Sequence, residues 1–268
     1  MYLLFAAPGI GTPLFAAEEK ATVPLTKQLS LALKTKRLFS SHTSYEFGNP
    51  FPPNQVPLSR LQFPLDSWWG GAEIRGRLSR FSLGVEAFRN ISGEADGRMR
   101  DSDWDDDTNP ILRTIYSESQ CRMEPSYMVR ADADVEVADL LGAPRWFSLR
   151  PVVGFRWQDF NLVTHDGVQY CLPGPSVLPL PCDGLRFSQT YWQYFIGLRS
   201  CIDAGELVHI TGLNLLLQAD WAYVEANNKD HHLLRTGSRF TYEDTYGQAW
   251  HASIQLEKSL YKALYLNV

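Results

Sequence analysis

Alternation of apolar and polar residues with period two runs through this sequence, in segments that often reach a dozen residues or more. Period two is the mark of a β-strand, whose successive side chains point to opposite faces. In 208–224 one face carries Leu213, Leu215, Leu217, Ala219, Trp221 and Tyr223, and the other Asn214, Gln218 and Asp220. In 127–140 Tyr127, Val129, Ala131, Ala133, Val135 and Val137 oppose Arg130, Asp132, Asp134 and Glu136. The segments 146–161, 190–201 and 246–256 repeat the pattern.

A soluble β-sandwich also alternates, but three features point elsewhere. Sandwich strands usually run about 5–6 residues, and these are much longer. Their polar faces carry dense charge of both signs. Trp157, Trp192, Trp221, Tyr223 and Trp250 gather near the ends of the apolar faces. A barrel that is polar inside, apolar outside and girdled by aromatic residues has these properties. The sequence therefore predicts an all-β fold: a transmembrane antiparallel β-barrel of the outer-membrane type. Strands are expected at 29–45, 59–78, 80–90, 126–141, 145–162, 189–202, 208–226, 239–257 and 260–268. Single-chain bacterial barrels have even strand numbers, so about ten strands are expected, with the last missing after Leu266-Asn267-Val268. Pro151 falls inside one strand, where it removes a ladder donor.

Composition excludes other classes. A net charge of −5 does not suit a broad nucleic-acid-binding face. At 44% hydrophobic residues the chain is too apolar for disorder. No apolar run of transmembrane-helix length follows the first few dozen positions. Residues 1–17 are apolar and end at Ala16-Ala17 before Glu18-Glu19-Lys20, which reads as a partial signal peptide or an apolar leader. A single domain is expected over 18–268. Cys171 and Cys182 bracket a Pro-rich stretch, consistent with a disulfide-closed loop or with two free thiols. None of the four cysteines has metal-ligand spacing, and no metal or cofactor is expected.

Long connections are expected at 46–58, 91–125, 163–188 and 226–238, and two of them concentrate titratable groups. In an extended segment Asp101 and Asp103 project to one side, and two close carboxylates share a proton. A calcium cage or a solvated acidic loop would use the same residues, although the EF-hand register fails for want of its Gly and Glu. Asp230 and His232 are also two apart, on the polar parity of their strand. An Asp beside a His orients the imidazole for general-base work; a metal site or an incidental polar loop are the rival readings.

These stretches resemble the omptin family of outer-membrane proteases. Asp101-Ser102-Asp103-Trp104 with Asn109-Pro110 resembles its D-x-D-W…N-P segment, and Asp230-His231-His232 its D-x-H. Arg239-Phe240-Thr241-Tyr242, Leu65-Asp66-Ser67-Trp68 and Ala72-Glu73-Ile74-Arg75-Gly76 extend the likeness. The resemblance implies an aspartic-type endopeptidase with its site at the extracellular mouth of the barrel. Asp101 and Asp103 would be a carboxylate couple and Asp230 and His232 a dyad, with a water between them and no acyl-enzyme. It also implies peptide or protein substrates, dependence on lipopolysaccharide, an outer-membrane location and a monomer.

The family's basic specificity rests on acidic pocket residues, and here the sequence departs. Asn228 stands two residues before the dyad Asp, and Glu46 or Tyr45 falls at the end of the first strand, depending on a one-residue shift. A further acidic position reads Ile115, or Glu118 with a shift. Glu46 and Asn228 are the expected substrate-binding residues, with weakened attraction for Arg or Lys. The alternatives are a non-catalytic barrel acting as adhesin or structural protein, and a lipid-A-modifying barrel enzyme. The inward parity of Asp230 and His232 counts against the latter.

Overall fold

The polar faces of the strands turn inward and the apolar faces outward. The structure is a computed structural model that describes residues 2–6, 27–49, 51, 54, 56–172, 174, 176–237, 239–261 and 264–268. Of the expected leader, only 2–6 lies among them. Residues 7–17, and the start of the expected domain at 18–26, lie outside the described residues.

Fourteen strands are described: β1 (Tyr2–Ala6), β2 (Lys27–Leu38), β3 (His42–Phe47), β4 (Ser59–Pro64), β5 (Ser67–Leu78), β6 (Phe81–Asn90), β7 (Met99–Asp103), β8 (Ile115–Met123), β9 (Tyr127–Val135), β10 (Phe147–Cys171), β11 (Ser176–Asp203), β12 (Leu213–His232), β13 (Arg239–Tyr261) and β14 (Leu264–Asn267). The antiparallel pairings close a ring in the order β10, β11, β12, β13, β14, β1, β2, β5, β6, β9 and back to β10. The short strand β1 fills the ring position between β14 and β2. No described helix is long and apolar enough to cross a membrane; the long elements are strands.

The expected strands 29–45 and 59–78 are each broken once. The first break is at 39–41, where Ser40 has a positive φ, and the second at Leu65-Asp66. Of the expected long loops, 163–188 is largely strand instead, and 91–125 holds the strands β7 and β8. β10 and β11 form one hairpin paired from Phe147↔Ile202 to Cys171↔Ser176. The outer part of β10 also pairs β8, and β7, β4 and β3 follow in order, so a second wall rises above the ring. Cys171 and Cys182 are free; the register sets Cys171 opposite Ser176 and leaves Cys182 near the other end of the outer hairpin, beside Asp183, which pairs His165. Pro151 lies one position beyond the β9 ladder, which begins at Val152↔Asp134, so its missing N–H costs no bond there.

On the outside, Leu29, Leu31 and Leu33 of β2, Leu83 and Val85 of β6, Ile196 and Leu198 of β11 and Ile254 of β13 are all exposed. Trp157 is register partner of Trp192, and Trp221 of Trp250, which sets the aromatics in rows across neighbouring strands. A continuous exposed apolar band of this kind is a lipid-facing surface.

Inside, the lower lumen is filled by ion pairs. Arg75 bridges Asp132 at 2.9 Å and Asp134 at 3.3 Å. Arg199 and Arg150 also bond Asp134. Arg156 holds Asp220 through two bonds of 2.8 and 2.7 Å, and Lys34 pairs with Glu86 at 2.7 Å. Charges withdrawn from water need such partners. Above them lies an apolar cluster that includes Tyr45, Leu61, Phe63, Trp69, Met99, Phe160, Leu185 and Phe187. Phe63 and Phe187 stack at 4.3 Å, and Tyr45 lies 6.0 Å from Phe187, joining the two walls.

Candidate active site

Asp101 and Asp103 lie on β7, and Asp230 and His232 near the end of β12. All four sit on strands rather than loops, which fixes their parity. Directly paired residues share a face. Asp101 pairs Leu61 of β4, Asp230 pairs Phe187 of β11, and both apolar partners are buried in the cluster between the walls. The carboxylates therefore stand at the edge of a dry floor, where ionisation is costly.

Asp230 is fully buried. His232 Nε2 lies 3.0 Å from its Oδ2, a close approach without the alignment of a hydrogen bond, and neither oxygen of Asp230 has another bonding partner. Catalytic hydrogen bonds often tighten only when substrate binds. Asp101 Oδ1 is likewise buried without a partner. Burial first, then the charges of Asp103 and Asp230, push the Asp101 carboxyl up to about 7, against the opposing pull of His232 and Arg235. The four predicted residues, from two distant stretches of sequence, thus act on one another electrostatically. The arrangement offers a carboxyl that keeps a proton near neutrality, a second carboxylate beside it, and an imidazole next to a buried Asp. No group of three or more His, Cys, Asp or Glu among the described residues has metal-binding geometry.

The Omptin family model matches residues 72–265, well over half of the sequence. The chain belongs to the omptin family. Its fold is similar to that in the crystal structure of the outer membrane protease OmpT from Escherichia coli, with a TM-score of 0.73 and 14% sequence identity, covering 89% of this chain and 80% of that one. The sequence matches none of the curated proteins compared with it. Family and fold together are those of a bacterial outer-membrane protease.

The remaining expected residues of this omptin separate. Glu46 faces away from the interior and pairs with Arg60 at 2.5 Å, so it does not join Asp230; its neighbour Tyr45 turns inward and is buried. Asn228 does face inward, buried, two residues before Asp230 on the same face of β12. Ile115 pairs Asp103 and so shares its face, while Glu118 is engaged by Tyr116 and lies 3.7 Å from Arg100. Two charged residues near the site were not foreseen. Arg235 lies in the tip between β12 and β13, and Glu243 of β13 pairs Asn228. Equal steps along the two strands from the tip at 233–238 bring 243 opposite 228, a signal the sequence does contain.

Proposed function

We propose that this omptin hydrolyses peptide bonds of exposed peptides or proteins through a water held between Asp230–His232 and Asp101–Asp103. The observation that carries this reading is the 3.0 Å approach of His232 to buried Asp230, facing an Asp101 carboxyl raised to about 7. With Nε2 turned to Asp230, the Nδ1 atom of His232 is left for the water. The water oxygen attacks the scissile carbonyl carbon as its proton passes to His232. The carboxylate of Asp230 stabilises the resulting imidazolium. Protonated Asp101, beside Asp103, donates a hydrogen bond to the oxyanion, and the dry floor strengthens that bond. Collapse expels the amine, which takes the proton from His232. No acyl-enzyme forms, which makes the reaction an aspartic-type one in its use of activated water.

The lipid-facing band and the family support an outer-membrane location, and the site is read as facing the cell exterior. Lipopolysaccharide is the lipid partner, required for activity, and the barrel acts as a monomer. The test is cleavage of a peptide library, read by mass spectrometry, by protein refolded with lipopolysaccharide. Asp101→Ala and His232→Ala should each abolish cleavage; full activity in both would overturn the assignment. A barrel that binds surface or matrix proteins without turnover would reveal itself by binding with no cleaved product.

A further inference from the structure

One imidazole on the outer wall touches two carboxylates at once. His165 Nδ1 lies 2.9 Å from Oδ2 of Asp166, and its Nε2 lies 3.2 Å from Oε2 of Glu94. A carboxylate can only accept, and a neutral imidazole has a single N–H. Both contacts are hydrogen bonds only when His165 is an imidazolium. The surroundings favour that charge. Gln120 of β8 and Asp183 of β11 pair His165 in register and share its face. Of the arginines on this face, Arg122 of β8 binds Asp183 at 3.0 Å, and Arg186 of β11 lies 3.6 Å from Glu124. Neither is engaged with Glu94 or Asp166. Cys121 of β8 stays a neutral thiol, pushed up to about 12 by burial, with Glu94 adding to it. The bond to Asp166 raises the imidazole above its ordinary range; partial burial opposes this, and Glu94 adds to the rise.

The two bonds join pieces of the wall that are far apart in sequence. The pairings of β10 with β8 and with β11 both shift register beside His165, and Asp166 bulges out with a φ of 48°, in the left-handed region that Asp tolerates. Gly167 sits where a Cβ would overlap the Ser119 hydroxyl, so the bulge is pressed against β8. Glu94 belongs to the connection from β6 to β7, and β7 carries Asp101 and Asp103. That connection docks on β8 through its backbone: Ala95 N donates to Cys121 O, and Met123 N to Gly93 O, each at 2.9 Å. His165 adds a side-chain tie between it and the bulge. Loss of the proton leaves one N–H for two acceptors. Asp166 follows His165 in the chain, so Glu94, on the longer contact, is the partner released.

We propose that His165 is a pH-sensitive positioning residue: as imidazolium it ties the connection into β7 to the bulge of β10, and on losing its proton it lets that connection loosen. The tie is complete on the acid side of the His165 titration and is lost as pH rises through the raised pKa. The consequence for catalysis rests on the peptidase reading, because the strand being held is the one that carries Asp101 and Asp103.

The experiment follows amide hydrogen exchange at Ala95 and Met123 in folded barrel with lipopolysaccharide, corrected for the intrinsic pH dependence of exchange. In wild type, protection should fall roughly 10-fold between about pH 6 and pH 8.5. His165→Arg keeps a charge and donors for two acceptors at every pH, so its protection should stay high and flat. Glu94→Gln should also remove the pH step while leaving His165 in place. Protection that does not change with pH in wild type, or that falls equally in His165→Arg or in Glu94→Gln, overturns the tie. The second readout is the ratio of kcat/KM for His165→Arg to that for wild type, in which the titration of Asp101 cancels. The ratio should rise several-fold across the same range. A flat ratio overturns the positioning role. No turnover in either protein, with the step in protection intact, sinks the peptidase reading and leaves the tie standing.

Discussion

His232 Nε2 lies 3.0 Å from Asp230 Oδ2, and Asp230 has no exposed surface. A buried carboxylate with no other bonding partner gains most when the imidazole beside it becomes charged, which is the moment the water is deprotonated. Asp230→Asn removes that gain without changing the shape of the site. kcat should fall by about 10²–10⁴-fold while KM changes little. Steady-state kinetics on one fluorogenic peptide measure both. A change confined to KM would mean that Asp230 binds substrate rather than supporting His232.

The pH dependence follows from Asp101. Its carboxyl, raised to about 7 chiefly by burial and then by Asp103, is the proposed proton donor to the oxyanion. A group needed in its protonated form supports activity below its pKa and loses it as pH rises through that value. The profile of kcat/KM should therefore carry a falling limb near pH 7. Asp103→Asn removes one of the charges that raise Asp101, so the limb should move to lower pH in whatever activity remains. A limb that stays in place in Asp103→Asn would uncouple the two carboxylates.

The lower lumen bears on stability rather than chemistry. Asp220 is buried and bound twice by Arg156, at 2.8 and 2.7 Å. Asp220→Ala strands a guanidinium that is mostly withdrawn from water and should destabilise the barrel by about 3–5 kcal/mol. Replacing the pair together, Asp220→Leu with Arg156→Met, should cost less, since no charge is left alone. Urea unfolding in detergent micelles measures the difference. Equal losses in the two variants would show that the pair contributes nothing specific.

Much of this molecule was legible in its sequence because the lipid and the lumen impose opposite demands on alternate residues. The run from Leu213 to Tyr223 shows its outward face for that reason. The strand reading failed where this contrast fades. Residues 163–188 read as a loop because Pro and Gly crowd the stretch from Cys171 to Cys182, yet partners on both sides hold most of it in the β10–β11 hairpin and against β8. Asp101, Asp103, Asp230 and His232 could be named because spacing by two survives in any strand. Glu46 could not be separated from Tyr45, because a shift of one residue exchanges the two faces and only tertiary pairing fixes it. Glu243 was missed because its meaning comes from the strand opposite, through the pairing with Asn228.

The central claim is that the two carboxylates of β7 and the Asp–His pair of β12 work as one catalytic unit. The direct measurement is a double-mutant comparison of kcat/KM for Asp101→Ala, His232→Ala and the two combined, each confirmed as folded barrel by its mobility on an unheated gel. Groups that act as a unit are strongly non-additive. Each single variant should lose at least about 10²-fold, with the double variant no worse than the poorer single one. Full activity in both single variants, or losses that multiply in the double one, would contradict it.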